Sequence, residues 1–253
     1  MIEHDFTVAH ESMRFDRSNA LLHKDVVTFA RFAEVITLTE MSRDTKERRE
    51  AVRLNGWSTF YSDKQKGADE CVILWKNSAF TLDGTPTSVP ITDKTWVRSK
   101  EYGGKRANPV HLISVPLAWA EEPKRRLVVM TCHMPLDNTP LRAAIWKDCA
   151  AGIRAEVRKR RRRDPGVKIL ITSDFNKNFR EDAERRLIRK HLSKPLGLRQ
   201  VWAGDVPRTG GTHGPRGLID GMLTDLYHPR ARLLRDTAAS DHRPMACDLT
   251  WTP

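Results

Sequence analysis

Residues 167–176 read VKILITSDFN and set two polar side chains directly after a continuous apolar run. An apolar run of this length, rich in Val and Ile, is typical of a strand that other layers cover on both faces. Asp174 and Asn176 follow where this strand ends, and strand ends are where a rigid scaffold presents functional groups. The stretch therefore predicts a buried strand that leads into a candidate site.

Apolar runs of the same kind recur along the whole chain and alternate with helical patterns. Further strands are predicted at residues 35–38, 71–75, 111–115, 127–130 and 245–249. Apolar residues at helical spacing predict helices over residues 19–33, 141–160 and 181–192. Helices interspersed with many strands indicate a layered α/β (α+β) fold. Because the chain has no internal repeat and no low-complexity linker, we expect one domain over residues 1–253.

The composition favours a partner rich in phosphate. The net charge is +12 over 253 residues, and clustered Lys and Arg attract polyanions through counterion release. A basic surface that serves solubility alone is the alternative. No apolar run is long enough to cross a bilayer, and residues 1–6 lack the pattern of a signal peptide. We therefore expect a cytoplasmic, intracellular protein with no membrane partner, whose four cysteines are reduced and buried.

Five groups of polar side chains share one position, because each stands next to the end of an apolar strand. They are Glu40, His133, Asp174 with Asn176, Asp220, and Asp241 with His242. If the strands before and after these groups run in opposite directions, all five meet at one rim of a sheet. Carboxylate and amide oxygens suit Mg²⁺ or Mn²⁺ rather than zinc, and histidines beside them can transfer protons. These are the parts that water needs to attack a phosphate ester, although each group alone has an ordinary reading as a cap or a turn.

The sequence resembles the endonuclease/exonuclease/phosphatase superfamily, which has the DNase I-like fold. The matching pieces are Leu38-Thr39-Glu40, TCHMP at 131–135, TSDFN at 172–176, Leu218-Ile219-Asp220 and Ser240-Asp241-His242. They span most of the chain, and the D-F-N and S-D-H pieces are the most specific. The resemblance implies a four-layer sandwich of two packed, mostly antiparallel β-sheets flanked by helices. It also implies a metal-dependent hydrolase that acts on phosphate esters.

The resemblance also assigns roles to the oxygen-bearing side chains. It implies that Glu40 binds the metal, with Asp241 as a second carboxylate on the metal side. It implies that Asp174 orients or polarises the attacking water. Asn176 would hold the phosphate or the metal.

Two histidines receive catalytic roles from the same resemblance. His133 would donate a proton to a phosphate oxygen as negative charge builds, with Glu70 as its acidic partner. His242 would act as a general base or a phosphate ligand, with Asp220 fixing its tautomer. A carboxylate on the far ring nitrogen is a sound way to raise the basicity of an imidazole.

The first strand departs from the family pattern. The family usually has an Asn at the end of this strand as a metal-side ligand, whereas residues 8–14 read VAHESMR. Glu11 can replace that Asn as a more strongly anionic metal ligand, and His10 and Ser12 are the alternatives. Asn19 lies further along and is better explained as a helix N-cap.

Candidate substrate contacts lie around these motifs. Arg142 and Lys177 are predicted to contact phosphate, with an ordinary helix surface as the alternative. Trp202 can stack on a sugar or base, and a core position is about equally expected. The basic run RKRRRR at 158–163 ends a helix pattern and is predicted to be a solvated face that complements the helix dipole.

The sequence thus predicts a metal-dependent phosphodiesterase with Mg²⁺ or Mn²⁺ as cofactor. The net charge favours a nuclease over an enzyme for a small ester. DNA is the favoured nucleic acid, and a monomer is the default for this fold. One alternative is a phosphatase or phosphodiesterase of the same fold that acts on a small or lipid phosphate, because the fold alone does not fix the substrate. Another is a nucleic-acid-binding protein with a decayed site.

Overall fold

The computed structural model describes residues 4–13, 18–41, 46–61, 71–92, 110–136, 140–201, 217–234, 240 and 242–252. The strands in these ranges are β1 (Phe6–Ser12), β2 (Val35–Thr39), β3 (Trp57–Tyr61), β4 (Val72–Lys76), β5 (Phe80–Leu82), β6 (Thr87–Pro90), β7 (His111–Trp119), β8 (Arg126–His133), β9 (Lys168–Asp174), β10 (Arg199–Val201), β11 (Asp220–Thr224), β12 (Tyr227–Leu233) and β13 (Met245–Thr250). The helices are α1 (Asn19–Phe29), α2 (Lys46–Ala51), α3 (Pro140–Arg163), α4 (Asp182–Ile188) and α5 (Lys194–Leu196), with a π-helical turn at Arg189–Ser193.

The strands form two sheets. In the described ranges, the first sheet has six strands in the order β12-β13-β1-β2-β4-β3. The second has seven, in the order β10-β11-β9-β8-β7-β5, with β6 also paired to β7. Only the pairs β1–β2 and β8–β9 are parallel among these strands, so both sheets are mostly antiparallel, as predicted.

Three apolar clusters separate four layers. One lies between α1, α2 and the first sheet, and a second lies between the two sheets. The third packs α3, α4 and α5 against the second sheet. Since each sheet buries both faces, its strands read as continuous apolar runs. The predicted four-layer sandwich is confirmed.

Two predicted helices differ from the structure at their C-terminal ends. The first ends at Phe29 rather than at residue 33. The third changes after Ile188 into the π-helical turn, and Pro195 follows in the next helical turn. Proline has no N–H for the regular i to i−4 bond, which gives a physical reason for the irregular geometry.

Along several strands, the side chains between the sheets change from apolar to polar toward one end of the strand. In β8, the apolar Leu127 and Val129 are followed on the same face by Thr131 and His133. The same order occurs in β1 (Val8, His10, Ser12), β2 (Val35, Thr37, Thr39) and β9 (Leu170, Thr172, Asp174). The register aligns Thr131 with Thr172 and His133 with Asp174. We call the edge at which β2, β8 and β9 end and β11 begins the polar rim.

The basic run at the end of α3 lies away from the polar rim. Strands β8 and β9 are parallel and both end at the rim, so the connecting helix α3 ends at the opposite edge of the sheet. Arg160 is buried and donates to Oγ1 of Thr87 in β6, and Arg161 pairs with Asp225 at 2.9 Å. The run is thus only partly the solvated face that was predicted, because two of its arginines tie α3 to its surroundings.

All four cysteines are free and buried, as expected. Burial raises the pKa of Cys132 and Cys247 to about 12, so both thiols stay protonated near neutral pH. No helix in the described ranges is long and apolar enough to span a membrane.

Candidate active site

Asp174 lies at the centre of the polar rim and belongs to two groups of possible metal ligands. One group is Glu40, His133 and Asp174, and the other is Asp174, Asp220 and His242. Within each group, one ligand atom from each residue lies within 4.8 Å of the others. Asp174 is reached from both sides because β9 stands between β8 and β11, and because β9 pairs Asp174 with His133 and with Asp220.

Two members of the first group, Glu40 and His133, face solvent, and together with Asn176 we call them the open half of the site. The Nε2 atom of His133 lies 3.4 Å from Oε1 of Glu40 and 3.8 Å from Oδ2 of Asp174. The side chains of His133 and Glu40 are 23% and 27% exposed, whereas that of Asp174 is 2% exposed. A ligand from solvent can therefore reach His133 and Glu40 first, with the Asp174 carboxylate beneath them.

Asn176 is fixed to the ends of β9 and β8. Its backbone N–H donates to Oδ1 of Asp174 at 2.8 Å, and its Nδ2 donates to the carbonyl of Met134 at 2.6 Å. Nδ2 also lies 3.3 Å from Nε2 of His133. These bonds hold Asn176 at a φ of 49°, and Glu40 has a φ of 54°. No other non-glycine residue in the described ranges has a positive φ, so the local backbone strain is concentrated at the open half.

The other side of the site is closed to solvent, and we call Asp220, His242 and His10 the buried half. Nδ1 of His242 lies 2.7 Å from Oδ2 of Asp220, with side-chain exposures of 6% and 1%. Nε2 of His10 lies 3.6 Å from the other carboxylate oxygen, and His10 is fully buried. The opposite ring nitrogen of His10 forms a 2.9 Å hydrogen bond with Oγ1 of Thr37. Two histidines thus flank one carboxylate.

The charges of the two halves shift the pKa values in opposite directions. Burial, together with the neighbouring Asp220 carboxylate, raises the pKa of Asp174 to about 7. Burial also opposes the ionisation of Asp220, but His242 and His10 outweigh it and hold its pKa below the ordinary value. Burial would lower the pKa of His242, but the Asp220 and Asp174 carboxylates raise it to about 9. At neutral pH the buried half is an ion pair, and Asp174 is poised to gain or lose a proton.

Strand β1 contributes to the site differently from the expectation for Glu11. Successive side chains in a strand point to opposite faces, and Ala9 and Met13 pack in the cluster beside α1 and α2. Glu11 lies between them and is fully buried, so it points toward the helices and away from the inter-sheet side. The structure therefore does not bring Glu11 to the polar rim.

His10 and Ser12 are the members of this segment that face the second sheet. The carbonyl of Ser12 accepts a hydrogen bond from Oγ of Ser240, and that same Oγ accepts the backbone N–H of His242 at 2.8 Å. Ser240 thus links the backbone of His242 to the end of β1. The proximity of His10 to Asp220 was not anticipated, although its even position after the apolar Phe6 and Val8 placed it on the inter-sheet face.

The residues predicted to contact the substrate differ in their burial. Lys177 is 1% exposed and its Nζ lies 5.6 Å from the ring centroid of Trp146, so its ammonium lies beneath the surface. Burial also lowers the pKa of Lys177. That position does not suit the phosphate contact that was expected of it. Arg142 is half-buried in the first turn of α3. Three further predicted residues, Glu70, Asp241 and Trp202, lie outside the described residues.

The donors at the polar rim suit a divalent cation. Carboxylate oxygens of Glu40 and Asp174 are oxygen ligands of the kind that Mg²⁺ and Mn²⁺ prefer, and His133 lies beside them. Asp174 and Asp220 are both buried and raise each other's cost of ionisation, which a cation at Asp174 relieves. The carboxylates of Glu40 and Asp174 are therefore the groups that could hold a metal, with His133 beside them.

Comparison with solved structures identifies the fold. The chain is similar to a mannosyl-6-phosphatase from Bacteroides thetaiotaomicron VPI-5482, with a TM-score of 0.70, 15% identity and coverage of 97% of this chain and 99% of that one. An endonuclease/exonuclease/phosphatase family protein from Bacteroides thetaiotaomicron also matches with a TM-score of 0.70, 15% identity, and 97% and 98% coverage. D. rerio TDP2, complexed with a single-strand DNA product, matches with a TM-score of 0.68, 14% identity, and 96% and 97% coverage.

No protein-family model matches the sequence, and no curated protein matches it. At these identities the similarity concerns the fold. The chain has the fold of endonuclease/exonuclease/phosphatase proteins over nearly its whole length, and the resemblance seen in the sequence is confirmed at that level.

Proposed function

We propose that this protein is a metal-dependent phosphodiesterase that hydrolyses nucleic acid, with DNA favoured over RNA. The main support is the Asp174 carboxylate, which adjoins a solvent-facing donor group on one side and a buried ion pair on the other. A site that cleaves a phosphate ester needs an open position for the phosphate and fixed charges that do not move during the reaction. The two halves have these properties.

In the open half, the phosphate lies above His133 and Asn176. Nε2 of His133 and Nδ2 of Asn176 are 3.3 Å apart, so both can donate to one phosphate group as negative charge builds. Glu40 and Asp174 hold the cation, and bound Mg²⁺ or Mn²⁺ supplies charge neutralisation and polarisation of the phosphate. The pKa of Asp174 is about 7 without a cation, and a bound cation would lower it, so Asp174 would act as an anionic ligand that orients the attacking water.

In the buried half, Asp220 fixes the tautomer and orientation of His242. Because Nδ1 of His242 faces the Asp220 carboxylate, the other ring nitrogen is the one that can donate to the substrate. A pKa of about 9 keeps His242 cationic at neutral pH, which favours the role of phosphate ligand over that of general base in the resting site. Asp241 as a second metal-side carboxylate and Glu70 as the partner of His133 stay predictions.

The choice of nucleic acid over a small phosphate ester as the substrate rests on charge. The net charge of +12 favours a polyanion over a small ester. The structural similarity to D. rerio TDP2, which was solved with single-strand DNA product, is consistent with that choice.

A plasmid-nicking assay tests the proposal. With Mg²⁺ we expect conversion of supercoiled plasmid to the nicked form, abolished by EDTA and absent in Asp174→Ala and His242→Ala. The matched control is Asp225→Ala. Asp225 follows β11 at the edge of the second sheet opposite Asp174, so this variant should keep nicking. Clean, folded protein that leaves DNA and RNA intact under Mg²⁺ and Mn²⁺ but hydrolyses a soluble phosphate ester would refute the nuclease assignment.

A phosphatase acting on a small phosphate is the second candidate, because a mannosyl-6-phosphatase has the same fold. The same protein sample distinguishes the two. A sugar phosphate that is turned over while plasmid stays intact supports the phosphatase. Salt-sensitive DNA binding with no hydrolysis of any phosphate ester would instead indicate a decayed site.

A further inference from the structure

A basic groove lies outside the polar rim, between the helices α4 and α5 and the strands β10 and β12. It encloses about 800 Å³ and spans the adjoining edges of the two sheets. Its lining includes Arg185, Arg186, Arg189, Lys194 and Arg199. The lining also includes one carboxylate, Asp182, and that carboxylate pairs with Arg185.

The positive charge of this groove is concentrated and exposed. Arg186, Arg189 and Lys194 are exposed, and they have no carboxylate partner in the described part of the chain. Arg189 is three residues from Arg186 and four from Arg185, which are the spacings at which like charges on a helix repel each other. Arg189 begins the π-helical turn, and such turns are frequent at functional sites. A surface built this way is less stable by itself than with an anion bound.

The positive charge of the groove also affects the pKa of His228, which lines it. His228 is partly buried, and burial together with the nearby Arg199 lowers its pKa. The histidine therefore stays neutral at pH 7 and adds no repulsion of its own. The guanidinium of Arg199 lies 5.9 Å from the ring centroid of Tyr227, whose side chain is among the exposed large hydrophobic groups. Guanidinium groups bind phosphates in pairs of hydrogen bonds, and an exposed aromatic ring can stack on a base.

The groove and the polar rim belong to one segment of chain. Asp182, six residues from Asn176, is the end of the groove nearest the polar rim, at most about 21 Å from it. The groove extends from there toward the opposite edge of the second sheet, where Arg199 pairs with the end of β11. Asn178 lies between Asn176 and Asp182 in the chain. Its side chain accepts from the backbone N–H of Leu218 at 3.1 Å and so ties this segment to the residues that lead into β11. A strand of nucleic acid covers this distance in several nucleotides.

We propose that this groove binds the phosphate backbone of single-stranded nucleic acid that extends away from the site of cleavage. The inference rests on the proposed function for its biological meaning, but the binding itself does not require cleavage. Arginines at several points along the groove suit a polymer with repeated phosphates better than a single small anion.

The test uses the full chain in EDTA and a fluorescein-labelled single strand of about twelve nucleotides. The variant is Arg186→Gln/Arg189→Gln. The matched control is Arg31→Gln/Arg53→Gln, which removes the same charge from exposed arginines that follow α1 and α2 in the helical layer against the first sheet. Fluorescence anisotropy should show about tenfold weaker binding in the groove variant, and a salt dependence reduced by about 1.4 in the slope of log K, at about 0.7 per phosphate.

Two results would overturn the proposal that the groove binds nucleic acid. One is unchanged affinity in the groove variant, and the other is an equal loss in the control, which would mean that only net charge matters. Circular dichroism confirms that both variants are folded. EDTA prevents metal-dependent cleavage, so this assay measures binding alone. A wild-type protein that binds the strand through the groove but does not nick plasmid with Mg²⁺ would refute the proposed function, and the binding role of the groove would still hold.

A different observation carries a second inference, on His10. This histidine lies 3.6 Å from one oxygen of Asp220, while His242 takes the other oxygen at 2.7 Å. The bond from Thr37 to the far ring nitrogen of His10 fixes the orientation of its ring. We infer that His10 is a positioning residue, which holds the Asp220 carboxylate in the orientation that fixes His242. The inference rests on the proposed function only for its effect on turnover.

Nuclear magnetic resonance of the His242 Nδ1 proton tests this role apart from stability. The wild type should show a resonance far downfield, as expected for a short bond to a carboxylate. His10→Ala should move or broaden that resonance and lower kcat about tenfold at unchanged KM. His10→Gln should restore most of both properties, since its amide can donate to the same oxygen.

Thr37→Val provides a variant that keeps the core shape if His10→Ala does not fold. It should change the resonance in the same direction by a smaller amount, because it removes only the bond that orients His10. A folded His10→Ala protein with an unchanged resonance and unchanged kcat would overturn the inference. So would a His10→Gln variant that is as impaired as His10→Ala.

Discussion

The open half and the buried half of the site present the same residue types in opposite surroundings. His133 beside Glu40 is about a quarter exposed, whereas His242 beside Asp220 is almost fully buried. The closest atoms of the first pair are 3.4 Å apart and those of the second 2.7 Å. The difference indicates a division of labour. The buried pair is held rigidly and orients, and the open pair has room to bind a cation and a phosphate.

Asp174 should show the largest effect, because it serves both halves. Asp174→Asn keeps the shape of the side chain but removes the anionic ligand and the group that orients the attacking water, so we expect nicking to fall about 10⁴-fold. The metal-free variant should also be more stable than the wild type, since a buried carboxylate beside Asp220 is removed.

The pH dependence of that stability gain follows from the raised pKa of Asp174. The unfolded carboxyl ionises near pH 4 and the folded one near 7, so folding is penalised increasingly as the pH rises through this window. The gain in melting temperature in EDTA should be largest above pH 7 and should vanish near pH 4. A variant that is less stable than the wild type at pH 8 would contradict the strained state of this carboxylate.

His242→Gln tests the buried half. It leaves Asp220 buried without its closest cationic partner, so we expect a loss of about 3 kcal/mol in the free energy of unfolding. Nicking should fall about 10³-fold at substrate saturation. Urea denaturation and initial rates measure the two quantities. Loss of activity with unchanged stability would show that the ion pair does not hold this half together.

His133→Gln is the matched change in the open half. We expect a fall of about 10²-fold in nicking, because one donor to the phosphate is lost. The free energy of unfolding should stay within about 0.5 kcal/mol of the wild type, since the side chain is partly exposed. The same assays apply, and equal destabilisation by the two histidine variants would remove the distinction between the halves.

Gly221→Ala tests the packing that joins the halves and should have the smallest effect on turnover. A Cβ at this position would lie 2.5 Å from Cζ of Phe179, whose ring packs against Phe175 next to Asp174. We expect a loss of about 1–3 kcal/mol from overpacking. Gly166→Ala is the control, because its nearest neighbour is 3.6 Å away. Thermal denaturation that ranks the two variants equally would contradict the close contact.

The sequence predicted the layers and most strands because a strand buried on both faces leaves an unbroken apolar run. It also identified Asp174, Asn176 and Asp220 as residues at strand ends, where motif and register coincide. It did not identify the contact between His10 and Asp220, because that contact crosses from one sheet to the other and depends on how the sheets pack. Glu11 was the more plausible ligand from its charge, but strand alternation turns it toward the helices.

The backbone strain at the open half also could not be predicted from the sequence. An asparagine at 176 tolerates a left-handed conformation, but nothing in the letters marks Glu40 as a residue with a φ of 54°. Helix ends at residues 29 and 188 depended on tertiary packing and on Pro195, which amphipathic spacing does not report.

The most direct test of the division of labour is the position of the cation. Crystals soaked in Mn²⁺ should show an anomalous density peak within coordination distance of the carboxylates of Glu40 and Asp174, on the open side of the site. That peak should disappear in Asp174→Asn while the bond between His242 and Asp220 remains. A peak between Asp220 and His242, or binding that survives the loss of Asp174, would contradict the account.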